Sequence, residues 1–261
     1  MNNTLIKAMN ILKLLASQRD GLTVTEISKA LQIPKSSVFD IVHTLEHGGF
    51  LAPSSNRPYS FCVGLEAFRI GYSYLNSYNL ETVARPVLSQ LSRQVNQTVF
   101  MAVRSGKGHV VYVQKFISDS ELQTTYSVGA VRHMLNTSLG KAILAALPNE
   151  QAVDAVTEEM YLDCSVPTIH DSESLVKYLD HTRELGYVID GTGENSHLVR
   201  TVAAPILDVE NCVLAAISSV VIAEHSTANQ LHELGRKVQA AALEISHKLG
   251  YMKDDLYAMG R

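Results

Sequence analysis

His43-Thr44-Leu45-Glu46-His47 matches H-x-x-E-H, a zinc-peptidase signature. Histidines at i and i+4 share one face of a helix, so the chemistry implied is metal-assisted hydrolysis. Against it, the helix is short and stops at Gly48-Gly49. His47 also has a simpler role near the helix C-terminus, facing the dipole. No G-x-S-x-G, P-loop or G-x-G-x-x-G stretch occurs, and Gly191-Thr192-Gly193 lacks the third glycine and the helix start. Asp190 and Glu194 are a conceivable carboxylate pair, but acidic loop residues are usually just solvated. Cys62, Cys164 and Cys212 stand far apart with no C-x-x-C pair, which argues against a zinc knuckle and for a reducing cytoplasm. The sequence therefore assigns no catalytic residue, no metal site and no cofactor, and the reading is a non-enzyme. A metal-dependent hydrolase stays as an alternative.

The elements that carry the H-x-x-E-H run suggest other chemistry. Residues 34–49 read as a helix with Val38, Ile41, Val42 and Leu45 on its buried stripe. Lys35, Ser36, Ser37, Phe39, Asp40, His43 and Thr44 are left on the outer face. Serines at a helix start can bond phosphate or a base edge, and Lys35 adds charge where backbone N–H groups already favour phosphate. Phe39 can meet a thymine methyl, and Asp40 can accept from a cytosine amino group. Phe50–Pro53 and Tyr59–Val63 flank a turn-rich tip, Ser54-Ser55-Asn56-Arg57-Pro58, which predicts a hairpin. Arg57 at that tip is the candidate for a minor groove or flanking phosphate. A recognition helix followed by a wing is how many small domains read duplex DNA.

Two helices precede it. Leu5, Met9, Leu12 and Ala16 give the first an apolar face. Thr23-Val24-Thr25-Glu26 matches a capping box for the second; Thr23 joins the candidate DNA-binding residues. Gly64–Asn79 reads as a connecting helix with Leu65, Phe68, Tyr72 and Leu75 on one face. Beyond it the pattern changes. Helices are expected at 80–95, 138–146, 149–156, 172–185 and 226–249. Strands are expected at 98–104, 109–116, 122–126, 187–190, 199–207 and 212–221. Strand pairs on short hairpins, interspersed with helices, point to a mixed α+β sheet domain. Thr137 is the expected N-cap of the helix at Ser138, whose free N–H groups at Ser138 and Leu139 make an anion site.

The chain has 261 residues, 46% hydrophobic and 18% charged, with net charge −4. Residues 1–75 hold seven Lys/Arg against five Asp/Glu, and the remainder fifteen against twenty-one. The basic excess at the N-terminal end is small, so DNA affinity should rest on dimerisation and helix N-termini rather than on a strong field. No run of about 18 apolar residues exists, so no membrane span is expected.

The order of these pieces resembles the IclR family of bacterial transcription regulators. TVTEISKALQIPKSSVFDIVHTLEHGGFL, ETVARPVLSQLSRQVNQTVFMAV, NTSLGKAILAAL, ELGYVID, RTVAAPILD and AAISSVV carry the resemblance over nearly the whole chain. It implies an α+β protein: a winged helix-turn-helix DNA-binding domain (residues 1–63), a linker helix (64–79) and a GAF-like, profilin-like effector-binding domain (80–261). It implies a homodimer, often a homotetramer, on double-stranded operator DNA, and a small-molecule effector that modulates binding. The reading is a cytoplasmic repressor, with a ligand sensor acting through protein partners as the alternative from another class. By carry-over, Ser138, Leu139, Asp190, Thr201, Ser218 and Val220 match effector-pocket positions, with Val128 and Met134 as apolar walls. Departures are Asp40 where a basic residue is common, Gln32 for a turn glycine, Ser28 for alanine, Leu135 for His, Thr201 for Cys and Val220 for Ser. The reduced polarity fits a small carboxylate with an apolar body.

Overall fold

The computed structural model describes residues 2–18, 20–77, 80–117, 127–164, 166–191 and 198–258. The expected strand at 122–126, Arg19 and the Thr192-to-Glu194 stretch lie outside the described residues. The chain divides into two compact units, Met1–Tyr78 and Asn79–Arg261.

The first unit runs α1 (Asn3–Ala16), β1 (Leu22–Thr23), α2 (Val24–Leu31), α3 (Lys35–His47), β2 (Leu51–Pro53), β3 (Ser60–Val63) and α4 (Leu65–Ser77). Its core is Ile11, Leu15, Ile27, Ile33, Val38, Ile41, Val42 and Leu51. Of the buried stripe expected for α3, Val38, Ile41 and Val42 are buried and Leu45 is partly buried against them. That of α1 differs: Ile11 and Leu15 are buried, whereas Leu5 and Met9 are 61% and 52% exposed. The helix is apolar on two faces, and its packing against α3 and β3 selects the Ala8–Ile11–Leu12–Leu15 side. The wing is three-stranded, not two-stranded. β1 pairs with β3 through Leu22–Phe61 and Thr23–Ser60, so the order is β1-β3-β2. Two residues are too short to show period-2 alternation.

The second unit runs α5 (Leu80–Val95), β4 (Val99–Ser105), β5 (His109–Phe116), β6 (Val131–His133), α6 (Ser138–Ala146), α7 (Asn149–Asp154), α8 (Glu158–Leu162), α9 (Ser172–Leu185), β7 (Val188–Asp190), β8 (Val199–Leu207), β9 (Val213–Ile222) and α10 (Ala228–Lys248). Its sheet has the order β6-β5-β4-β9-β8-β7 with antiparallel neighbours throughout. Helices pack on both faces, which explains the nearly continuous apolar runs of β4, β8 and β9. All nine residues of α6 are buried. Its C-terminal end is closed by Arg183 of α9, whose buried guanidinium donates to Ala145 O, Leu147 O and Asn149 Oδ1 at 2.9, 3.0 and 2.7 Å. After α10 the chain turns back and buries Tyr251, Leu256 and Tyr257.

Candidate DNA interface and effector site

On the first unit, the polar face of α3 is built as its stripe requires. Lys35, Ser36, Phe39, Asp40, His43 and Thr44 are exposed, Ser37 is half-buried, and Phe39 is 53% exposed. Pro34 precedes α3 without a side-chain cap, so nothing on that residue occupies the N–H groups of the first turn. His43 is not presented as a free ligand. Its Nδ1 lies 2.9 Å from Glu46 Oε2, and its ring packs edge-on against Phe39, centroids 4.3 Å apart, with Phe61 of the wing at 5.7 Å. His43 thus engages Glu46 of its own motif and the wing. Among the described residues no three of His, Cys, Asp and Glu are grouped to hold a metal ion.

The turn into α3 explains two departures from the family pattern. Gln32 closes α2 in the left-handed region, φ 53° and ψ 40°, where glycine is at ease. The Ser28 hydroxyl donates to Ile33 O at 2.7 Å across the same turn.

Thr23 and Glu26 form the expected capping box. Thr23 N and Oγ1 both donate to Glu26 Oε2 at 2.9 Å, and Glu26 N donates to Thr23 Oγ1 at 3.3 Å. Thr23 is therefore occupied by the cap. Arg57 is exposed in the wing and donates through Nη2 to Glu26 Oε1 at 2.7 Å. The backbone N–H of Thr23 above all, and then Arg57, hold the Glu26 carboxyl down to about 2. Sequence reasoning did not single out Tyr59, which stands 91% exposed at the wing with φ 57°.

On the second unit, strand register gathers the expected pocket residues. Asp190, Thr201 and Val220 form one cross-strand row, and Val188, Ala203, Ser218 and Phe100 form the next row on the same face. That face is the one under α6, because Lys141 Nζ reaches Asp190 Oδ2 at 2.6 Å. Thr201 Oγ1 donates to Asp190 O at 3.3 Å. Thr137 caps α6 by accepting from Gly140 N at 3.0 Å, and Lys141 N bonds Thr137 O. The N–H groups of Ser138 and Leu139 therefore have no partner within the helix. Met134 is wholly buried beside this turn, while Val128, the other expected apolar wall, is 58% exposed.

The charged and aromatic neighbours of this turn were not foreseen. Lys141 is completely buried, with its ammonium 5.8 Å from the Tyr178 ring centroid. Burial, then Asp190, pushes the Tyr178 hydroxyl up, and burial pushes the Cys164 thiol up, so both stay protonated at neutral pH. The available signal was one lysine inside the apolar run SLGKAILAA, since a charge there demands a partner.

Both units match known families of domains. Residues 4–54 match the IclR helix-turn-helix domain, and residues 72–247 match the bacterial transcriptional regulator IclR C-terminal domain. HTH-type transcriptional regulator KipR of Bacillus subtilis strain 168 is 29% identical over 250 residues, covering 96% of this chain and 98% of that protein. HTH-type transcriptional repressor AllR of Klebsiella pneumoniae is 29% identical over 246 residues, covering 94% and 89%. Among solved structures, an IclR homologue of Microbacterium hydrocarbonoxydans complexed with 4-hydroxybenzoate shares the fold. Its TM-score is 0.77 at 19% identity, covering 95% of this chain and 99% of that one.

Proposed function

The chain belongs to the IclR family of bacterial transcriptional regulators, and we propose that it is a cytoplasmic, non-enzymatic repressor whose operator binding is modulated by a small carboxylate. Residues 1–63 bind DNA, 64–79 link, and 80–261 bind the effector. The observation that carries the DNA half is the exposed polar edge of α3 beside the wing. Lys35, Ser36 and Ser37 meet phosphate or base edges at the helix start. Phe39, Asp40 and His43 read further along the groove, and Arg57 reaches the flanking minor groove or phosphate.

Two copies on a pseudo-palindromic operator suit this small, mildly basic surface. Leu5 and Met9 on α1, with Leu65 on α4, are large exposed apolar side chains that a second copy would cover. A homodimer, or a homotetramer built from two, is the resulting assembly.

The effector half rests on the α6 N-terminus facing the Asp190–Thr201–Ser218–Val220 side of the sheet. An unpaired acid there would repel a carboxylate ligand. Lys141 neutralises Asp190, so the donors of Ser138 and Leu139 dominate the local field. Phe100, Met134 and Val220 supply apolar body contacts. Ligand and operator then compete or cooperate through their different affinities for two arrangements of the chain. AllR is named a repressor and the Microbacterium homologue holds an aromatic carboxylate, which is what supports those two choices.

The test is fluorescence anisotropy with the DNA upstream of the protein's own gene, across a salt series. Sequence-dependent binding is expected, and Lys35→Ala should lower the salt slope by about 1. Binding with no sequence preference would sink the operator reading. A thermal-shift screen in which only cations or nucleotides stabilise the protein would sink the carboxylate.

A further inference from the structure

The pairing of Glu26 with Arg57 exceeds what a helix cap requires. Glu26 Oε2 alone serves Thr23 N and Oγ1, and Oε1 is left for Arg57 Nη2 at 2.7 Å. The two residues lie 31 positions apart, one on α2 and one in the wing loop. Their side chains are 38% and 43% exposed. An ion pair so exposed contributes little to stability, so its stabilising value does not account for it.

The rest of the wing is fixed in the same direction. Ser60 Oγ donates to Arg57 O at 2.8 Å, Ser54 Oγ donates to Asp20 O at 2.9 Å, and Ser54 N closes onto Ser60 O at 2.9 Å. A Cβ on Gly21, whose φ is +76°, would collide with Phe61 O, so the loop before α2 lies hard against β3. The wing backbone is therefore docked on the helix-turn-helix, and Glu26 extends that docking to the guanidinium. Arginine has five N–H donors, and one bond to Glu26 leaves the others for phosphate or base edges.

We propose that Glu26 is a positioning residue for operator recognition, holding the Arg57 guanidinium in a fixed pose for the groove beside α3. The inference rests on the operator reading above. Its physical content is entropic: a long cationic side chain held before binding loses less freedom on binding. The paired carboxylate also offsets Arg57's charge toward distant phosphates. Glu26 thus favours the seated contact over loose attraction.

The substitution E26Q separates this role from the cap. A glutamine keeps one amide oxygen for Thr23, as capping boxes allow, but turns an N–H₂ group and no charge toward Arg57. The full-length wild type selects a duplex from a random library. Wild type, E26Q, R57Q and E26Q/R57Q are then titrated against that duplex and a scrambled one over a salt series, with circular dichroism to verify folding.

E26Q is expected to weaken the selected duplex about three- to tenfold, the loss from leaving one long side chain unfixed. Binding to the scrambled duplex should hold or rise. R57Q should lower the salt slope by about 1, and the double variant should bind no more weakly than R57Q. Unchanged E26Q affinity would reduce Glu26 to a cap. Tighter E26Q binding to the selected duplex would make it a competitor of DNA, and independent losses in the double variant would break the link through Arg57. Each of these overturns the proposal while the operator reading stands; a wild type that selects no sequence overturns both.

Discussion

Lys141 Nζ sits 2.6 Å from Asp190 Oδ2 with the two side chains 0% and 4% exposed, a buried ion pair that ties α6 to the end of β7. Burying two charges together is tolerable, whereas stranding one is not. Removing one partner of such a pair typically costs about 3–5 kcal/mol, while replacing both by apolar residues is often close to neutral. K141M should therefore destabilise the second unit strongly, and K141M/D190L should recover most of the loss. Urea unfolding followed by circular dichroism reads both. A K141M variant as stable as wild type would mean that the pair does not carry charge in the folded protein.

Gly140 lies directly against the backbone of Met134, and a Cβ there would collide with Met134 Cα, C and O. Backbone cannot swing aside as a side-chain tip can. Overpacking of this kind costs about 1–3 kcal/mol. G140A should lower Tm by about 2–12 °C at the 2–4 °C per kcal/mol expected for a domain of this size. The same variant should weaken stabilisation by aromatic carboxylates, because Met134 and the N–H groups of Ser138 and Leu139 share that turn. Retained ligand stabilisation at a lowered Tm would place the ligand away from it.

The turn between α2 and α3 carries a strained residue with its own remedy. Gln32 has φ 53°, a region that costs an ordinary L-residue about 1–2 kcal/mol. Q32G removes that strain and adds some unfolded-state freedom, so a net gain of about 0.5–1 kcal/mol in the first unit is expected. S28A should act oppositely, since it deletes the bond to Ile33 O; about 1 kcal/mol is the usual size. Thermal unfolding of the two single variants checks the pair of signs. A destabilised Q32G would show that the Gln32 side chain does more than tolerate its backbone.

What was legible in the chain was local. The buried stripe of α3 at Val38, Ile41, Val42 and Leu45 follows from 3.6-residue periodicity, and the Thr23–Glu26 box from its spacing. The long strands β4, β5, β8 and β9 were marked by β-branched runs between turn residues. Long-range pairing was not legible. Nothing local to Lys141 or Asp190 says that they meet across 49 residues, nor that Arg183 closes the far end of α6. On α1 periodicity picked the Leu5–Met9–Leu12–Ala16 side, whereas the position of its neighbours buries Ile11 and Leu15. The buried return of Tyr251 and Tyr257 after α10 has no period at all, because it is fixed by the surface it lands on. At the candidate sites, the residues themselves were legible by type, but their partners (Glu46 for His43, Glu26 for Arg57, Lys141 for Asp190) came from the fold.

Glu26 also sets a pH dependence whose sign can be worked out. Its carboxyl is held from the ordinary 4.5 down to about 2, first by the Thr23 backbone N–H and then by Arg57. A group with a depressed folded pKa binds its proton less readily folded than unfolded. Its contribution is therefore fully present above about 4.5 and is lost as pH falls from there toward about 2. Wild type should hold a small Tm advantage over E26Q at neutral pH, small because the carboxyl is solvent-exposed. The advantage should shrink through that acid window and be nearly gone at its lower end. E26Q itself cannot gain a proton at this position, so the difference between the two curves isolates Glu26 from every other carboxylate. A difference that stays constant from pH 7 to pH 2.5 would mean that the cap depends on shape and not on charge.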